Sequence, residues 1–217
     1  VRLVGSEMCI RDSHIDQEIN DRGVRLDMDL VKEAIEMDTR SRSELTAAMK
    51  DMTALDNPNS VQQMKQWLSD NGLETDSLGK KVVAELIKTA PPELQTVLEL
   101  RQQLAKSSVK KYQTMERAVC DDGRARGMFA FYGVNRTGRW AGRLIQLQNL
   151  PQNHLPDLAD ARALVKSGNF DAVKLLYEDV PDTLSQLIRT AFIPKDGTQF
   201  YVCLLYTSPS PRDGLLS

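Results

Sequence analysis

A run of arginine, glycine and amide side chains near the middle of the chain places the tightest limit on its fold. It reads RTGRWAGRLIQLQNLPQN from Arg136 to Asn153. Its glycines disfavour a helix, because glycine loses more backbone freedom on ordering than any other residue. The run therefore predicts an extended or looped segment. Its guanidinium groups can form charge-assisted hydrogen bonds to a polyanion, and its amide side chains can hydrogen-bond to the edges of bases.

The overall charge of the chain does not indicate a nucleic-acid partner. Lysine and arginine together number 28 and aspartate and glutamate 30, for a formal net charge of -2. Any nucleic-acid binding must therefore come from a local patch. No apolar stretch approaches the roughly 20 residues that a membrane span needs, so we expect no membrane partner.

Both ends of the chain read as foreign sequence. Leu3–Ser13 can be back-translated into DNA whose reverse complement, read one base in, encodes the segment Cys203–Arg212. That DNA looks like the transposase adapter of a sequencing library, and two unrelated protein ends should not be reverse complements. We therefore expect residues 1–13 and 203–217 to be adapter-derived tails and exclude them from the fold. The alternative is a natural tail rich in serine and proline.

Removing those tails leaves one cysteine, Cys120, out of three. A single thiol supports neither a disulfide framework nor a zinc site, and it is typical of a reduced compartment. We expect a cytoplasmic protein and, in the absence of a pattern for self-association, a monomer.

The first half of the remaining chain predicts helices. Gly23 marks a turn before a short extended piece, and Asp27 or Asp29 can cap a helix with a 3.6-residue apolar stripe. Ser60 can cap a second helix that ends at Asn71-Gly72. Further helices are predicted over 78–88 and, after Pro91-Pro92, over 92–115.

The second half predicts a mixture of strand and helix. Residues 128–133 alternate bulky and small side chains, as a strand of a small antiparallel sheet does. Helices are predicted over 158–166 and about 169–176. The fold class is therefore mainly α with a small antiparallel β part, that is, α+β.

The central run resembles a segment at the start of the palm of family A DNA polymerases, the bacterial DNA polymerase I type. The spacing from Thr137 to Pro151 is similar to the Thr-Gly-Arg…Leu-Gln-Asn-Ile-Pro pattern without a gap. The positions in register are Gly138, Arg139, Leu147, Gln148, Asn149 and Pro151. The family usually has Pro-Asn where Ile145 and Gln146 stand here.

Two upstream segments also resemble that family. Asn57-Pro-Asn-Ser60 and the helices after it are similar to the polymerase thumb. The pattern Leu98-Glu-Leu-Arg101…Ala105-Lys106…Tyr112 is similar to the helix that runs from thumb to palm, with one residue more here. An extra residue turns a helix by about 100°, so which lysine contacts DNA stays open.

The resemblance implies a set of residues that bind primer-template DNA. Arg139 would donate to the primer-terminal pair from the minor groove, where all pairs share acceptors. Gly138 and Gly142 would let the backbone approach closely. The complete set of predicted DNA-binding residues is Arg101, Lys106, Lys110, Arg136, Arg139, Arg143, Gln146, Gln148 and Asn149. The alternative is that the arginines form a solvated face and the amides cap a turn.

The resemblance also implies a domain arrangement. We expect residues 14–115 to form a helical thumb-like region and residues 116–202 the start of the palm. A helical insertion at 154–188 is longer than in the bacterial enzymes and looks like the polymerases of phages and prophages.

The stretch Arg189–Val202 resembles the lead-in to the first catalytic motif of the family. The metal-binding aspartate would follow Val202 by about two residues, where Leu204 stands. The whole protein would be a DNA-directed DNA polymerase that uses dNTPs and two Mg²⁺ ions. We expect this chain to hold no metal site and no catalytic residue, and to be inactive. Two alternatives stay open: a non-catalytic helical DNA-binding or repair accessory protein, and a structural helical protein.

Overall fold

The computed structural model describes residues 2–134 and 136–200, with side chains from residue 10 onward. Helices in this part of the chain are α1 (Arg2–Arg22), α2 (Met28–Thr53), α3 (Val61–Asp70), α4 (Lys80–Thr89), α5 (Pro92–Leu104), α6 (Lys110–Ala118), α7 (Leu158–Lys166), α8 (Phe170–Tyr177) and α9 (Val180–Leu187). Strands are β1 (Val24–Leu26), β2 (Arg124–Ala125), β3 (Phe129–Val134), β4 (Arg139–Gly142) and β5 (Phe192–Ile193). The predicted α+β class is confirmed.

The strands form two small antiparallel sheets. One has the order β2-β1-β5, in which Arg25 pairs with Arg124 on one side and with Ile193 on the other. The second is the hairpin β3-β4, with Phe129 opposite Gly142. The strand predicted over 128–133 is therefore confirmed as β3.

The long helix α2 contributes residues to both apolar cores of the molecule. Its 26 residues extend about 39 Å at 1.5 Å per residue. Its first half contributes Leu30 and Met37 to one apolar core, and Met49 lies in a second. One long helix therefore connects two cores.

The two cores divide the other elements between them. The first packs the start of α2 against α6 and the helices α7, α8 and α9. The second packs the end of α2 against α3, α4 and α5. The boundary predicted at residues 115/116 stays a prediction, as does the foreign origin of the tails. Residues 201–217, with Val202 and Leu204, lie outside the described residues.

The single helix predicted over 92–115 is wrong. Helix α5 ends at Leu104, and α6 begins at Lys110. The guanidinium of Arg42 donates to the carbonyls of Leu104 (3.1 Å) and Lys106 (2.8 Å), which satisfies oxygens that a continuing helix would bond. Serine at 107 and 108 propagates a helix poorly, and Ser108 Oγ instead shares a 2.7 Å hydrogen bond with Ser185 Oγ.

The predicted helix starts agree with the structure. The carboxylate of Asp27 accepts from the Leu30 amide at 3.3 Å, and the hydroxyl of Ser60 accepts from the Gln63 amide at 3.4 Å. Gly23 has φ +59°, a conformation that favours glycine. Helix α7 spans the predicted 158–166, whereas α9 was not predicted; Asp179 caps it through the Asp182 amide at 2.8 Å.

An ion cluster centred on the buried carboxylate of Asp27 joins the segment 154–188 to the start of α2. Asp27 is 5% exposed, and its carboxylate accepts from Lys166 at 2.9 and 3.0 Å and from Arg162. Burial alone would raise the pKa of Asp27, but the hydrogen bonds from Lys166 and from the Leu30 amide hold that pKa below its usual value. The cluster fixes α7 against the N-terminus of α2.

Candidate nucleic-acid interface

The central run folds into a turn, a strand and a short 3-10 helix. The amides of Thr137 and Gly138 donate to the carbonyl of Val134, at 3.1 and 2.9 Å, and close the β3-β4 hairpin. Gly138 has φ +64°, which only glycine adopts readily. After β4, a 3-10 helix covers Leu147–Asn149. The predicted absence of a long helix in this run is confirmed.

Two apolar side chains anchor this run in the first core. Ile145 is fully buried and Leu150 nearly so, and Leu147 between them packs partly buried against the same core. The polar side chains between and around them face outward. The exposed set comprises Arg136, Arg139, Arg143, Gln146, Gln148 and Asn149. We call residues 143–151 the amide loop; it presents polar groups outward from an apolar base.

Two cationic side chains donate hydrogen bonds to backbone carbonyls of the amide loop. Lys111 Nζ donates to the carbonyl of Ile145 at 2.6 Å. Arg189 donates from Nε to the carbonyl of Pro151 at 2.8 Å and from Nη2 to that of Leu150 at 3.0 Å. Burial lowers the pKa of Lys111. The sequence singled out neither side chain for this role, since each lies far along the chain from its partner.

The amides of the loop also bond to one another. Asn149 Nδ2 donates to Gln146 Oε1 at 3.0 Å, and the Asn149 amide donates to the Gln146 carbonyl at 2.9 Å. Gln146 adopts φ +55°, which costs energy for a residue other than glycine. The loop therefore presents its amides from one fixed backbone conformation.

Both glycines of the run make room for neighbouring side chains. A β-carbon at Gly142 would lie 2.0 Å from Oε1 of Gln148, and one at Gly138 would lie 2.7 Å from Cε2 of Tyr132. The carboxamide of Gln148 therefore covers the backbone of β4. Close approach of a ligand backbone to these glycines stays a prediction.

Helix α1 covers the free edge of the hairpin. The Asn20 side chain accepts from the Phe129 amide and donates to its carbonyl, each at 3.0 Å. Asp16 Oδ1 accepts from the Phe131 amide at 3.1 Å. These side chains occupy backbone groups that a neighbouring strand would otherwise take, so the hairpin edge is closed.

A cleft of about 710 Å³ lies between the second core and the amide loop. It brings together three of the predicted DNA-binding residues, Arg101, Lys106 and Asn149, and its lining does not include Lys110. Lys110 is exposed at the start of α6. Lys106 lies in the break between α5 and α6, whereas Lys110 is the first residue of α6.

The two cleft cations already have partners. Arg101 Nη1 donates to the carbonyl of Asn59 at 3.1 Å, and burial lowers the pKa of Arg101. Lys106 Nζ donates to Asp179 at 3.1 Å and also to Asp182. A phosphate in the cleft would have to compete with these groups for both cations.

The hairpin and the amide loop lie in a segment without acidic residues. From residue 123 to residue 156 the sequence contains five arginines and no aspartate or glutamate. Within the described residues no ion pair engages Arg136, Arg139 or Arg143. In a chain of net charge -2, this is a local basic surface of the kind that attracts polyanions.

The adjacent carboxylates Asp121 and Asp122 do not form a metal site. Asp122 accepts from Arg126 through both oxygens, at 2.7 and 2.6 Å, and this pairing lowers the pKa of Asp122 to about 2. Among the described residues, no group of three or more His, Cys, Asp or Glu side chains could hold a metal ion. The residues present therefore do not fit a catalytic magnesium site.

A membrane-spanning helix is not found either. No helix within residues 2–134 and 136–200 combines the length and the apolar character that crossing a bilayer requires.

Comparison with known proteins gives one informative match. No family model matches the chain, and no solved structure matches it. The chain is 56% identical over 189 residues to a protein of Bacillus phage SP02 named DNA polymerase. The match covers 87% of this chain and 29% of the phage protein, so the chain spans less than a third of that relative's length. In sequence, the chain is therefore similar to one part of a phage protein that carries the name DNA polymerase.

Proposed function

We propose that the chain is an internal part of a family A DNA polymerase, and that this part binds primer-template DNA. The observation that carries the proposal is the amide loop with the adjoining hairpin. Three arginines that form no ion pair among the described residues, and three amides, face outward there. The segment that contains them has no acidic residue. The match to the phage protein named DNA polymerase supports the DNA polymerase part of the proposal independently of this geometry.

The proposed binding surface reads DNA without regard to sequence. Arg139 donates to the primer-terminal pair in the minor groove, where purine N3 and pyrimidine O2 accept from every pair. Gln146, Gln148 and Asn149 contact neighbouring bases or sugars. Arg136 and Arg143 bind phosphates, together with Arg101, Lys106 and Lys110. Phosphate contacts position the duplex but carry no sequence information.

The anchoring of the amide loop supports this role. Because Lys111 and Arg189 fix the loop backbone from the protein side, little of the loop has to become ordered when DNA binds. Preorganisation of this kind raises affinity by lowering the entropic cost of binding.

We further propose that the chain alone does not polymerise. By the resemblance, two palm aspartates of the whole protein would hold Mg²⁺, and the metal would supply the charge stabilisation that nucleotidyl transfer needs. The described residues do not fit such a site, and the first aspartate would follow Val202. Catalysis and dNTP binding therefore belong to other parts of the whole protein.

Sequencing the uninterrupted gene from its source DNA tests the proposal. We expect an aspartate codon about two positions after Val202. A stop codon, or a long continuation without an acidic residue, would favour the non-catalytic DNA-binding protein.

The binding itself is tested by titrating a labelled primer-template with the chain and following fluorescence anisotropy. We expect saturable binding of similar strength for primer-templates of unrelated sequence, weakening as salt is raised because phosphate contacts release counterions. Absence of binding at low salt by a chain that is folded by circular dichroism would refute the proposal.

A further inference from the structure

An aromatic cluster on the β3-β4 hairpin has no role in the proposed duplex contacts. The ring of Phe131 lies 5.6 Å from that of Trp140 and 6.2 Å from that of Tyr132, both edge to face. Trp140 is 42% exposed and Tyr132 is 58% exposed. Phe131 lies between them and is partly buried. We call these three residues the aromatic cluster.

The rings of the cluster are held in place. Phe131 packs edge-on against both neighbours, and the Phe131 amide is itself bonded to Asp16 of α1. The missing side chain of Gly138 leaves room for the ring of Tyr132. A rigid aromatic ring offers contact area at a small entropic cost, so the cluster is suited to binding a flat, apolar surface.

The charges around the cluster restrict what that surface can belong to. Arg136 lies in the turn at the tip of the hairpin, and Arg143 follows the end of β4. Neither arginine has an acidic partner among the described residues, and the surrounding segment has no aspartate or glutamate. The complementary ligand therefore combines negative charge with flat aromatic faces, a combination that nucleic acids provide.

The exposure of the rings distinguishes unpaired from paired bases. In a duplex the faces of the bases are covered by stacking, so only edges and phosphates are accessible along its length. Single strands present free faces that stack on aromatic side chains without regard to sequence. Successive residues of a strand point to opposite faces, so Trp140 lies on the face of β4 opposite Arg139. The two faces can therefore contact different parts of one DNA molecule.

We propose that the aromatic cluster, with Arg136 in the adjoining turn, binds unpaired nucleotides of a DNA strand by base stacking. This rests on the proposed binding of primer-template DNA and adds to it a separate contact for the single-stranded segment next to the duplex. The chain then binds a junction between duplex and single strand, with the aromatic cluster on the single-stranded side.

Tryptophan fluorescence can test the stacking directly. The chain has two tryptophans, so the substitution Trp67→Phe leaves Trp140 as the single reporter. We expect an oligothymidylate, and a duplex with a single-stranded overhang, to quench Trp140 emission. A blunt duplex of the same length should bind with little quenching.

Substitutions measure the contribution of the ring. We expect Trp140→Leu to weaken binding of the oligothymidylate by about 5- to 100-fold, the range for loss of one stacked base. Trp140→Tyr restores a ring and should recover most of the affinity. Leu175→Ala is the matched control, since Leu175 is 82% exposed on α8, outside the hairpin; it should bind as the parent does.

The outcomes separate the two proposals. If the chain binds blunt duplex while the oligothymidylate leaves Trp140 emission unchanged, the stacking proposal is overturned and the duplex-binding proposal stands. If Trp140→Leu alters sedimentation and leaves oligonucleotide binding intact, the cluster is an interface between copies of the chain, which also overturns stacking. If neither duplex nor single strand binds, the proposed function itself fails.

Discussion

Replacing Ile145 tests whether the amide loop is anchored in the core as the structure has it. Ile145 is fully buried, whereas its neighbour Leu144 is 54% exposed. Ile145→Ala removes three carbons, about 2.4 kcal/mol at 0.8 kcal/mol for each buried methylene. With the cavity that remains, the expected loss of unfolding free energy is about 2–5 kcal/mol. Leu144→Ala should change it by no more than about 0.5 kcal/mol.

Urea denaturation followed by circular dichroism measures both variants. A loss of 5 kcal/mol can unfold a small domain, so Ile145→Val serves as a milder probe with an expected loss of about 0.5–1.5 kcal/mol. Primer-template affinity should fall with Ile145→Val more than with Leu144→Ala, because the first loosens the loop backbone. Equal stability losses for Leu144→Ala and Ile145→Ala would refute the anchoring.

Three further predictions concern the ion pairs and the chemistry. The folded pKa of Asp27 is depressed. Its contribution to the free energy of unfolding is therefore complete above the unfolded pKa of about 3.9 and is lost as pH falls through the folded value. Acid titrations of stability should show this loss in the parent and not in Asp27→Asn. Arg42→Met leaves the Leu104 and Lys106 carbonyls without their donor and should cost about 1.5–3 kcal/mol by urea denaturation; a change within error would contradict the cause given for the helix break. The purified chain should extend no primer with magnesium and all four nucleotides; template-dependent extension would contradict the alignment of Arg189 and the residues after it.

Local chemistry made much of the fold predictable from sequence. Asp27 and Ser60 cap helices because their side chains reach an amide three residues ahead, a relation that the sequence displays directly. Gly23 adopts positive φ, as its predicted position in a turn favours. Helix α7 agrees with prediction because its apolar spacing and its flanking residues point to the same element.

The features of the fold that the sequence did not predict depend on contacts between residues far apart along the chain. The break after α5 depends on Arg42, which is 62 residues from Leu104 along the chain. Apolar residues recur at helical spacing on both sides of the break, so a local pattern predicts a single helix. Asp27 reads as a helix cap, yet it is also the centre of an ion cluster with Arg162 and Lys166, 135 and 139 residues away.

In the candidate site, too, local features were predictable from sequence and distant contacts were not. Its outward side chains were predictable, because the arginines, glycines and amides of the run are visible in sequence. Its supports were not, since Lys111 and Arg189 contact backbone carbonyls of the loop and leave no pattern of their own. The engagement of Lys106 with Asp179 and Asp182 likewise depends on α9, a helix that the sequence did not predict.

The most direct test of the account compares Arg139→Ala with Arg117→Ala in a primer-template titration. Both arginines are exposed, but Arg117 lies on α6, outside the central run, so the pair separates a specific contact from the loss of one charge. We expect Arg139→Ala to weaken binding by about 10-fold or more, as loss of a charged hydrogen bond does, on all template sequences alike. Arg117→Ala should bind as the parent does. Equal affinities for the parent and both variants would contradict the claim that the central run binds the primer end.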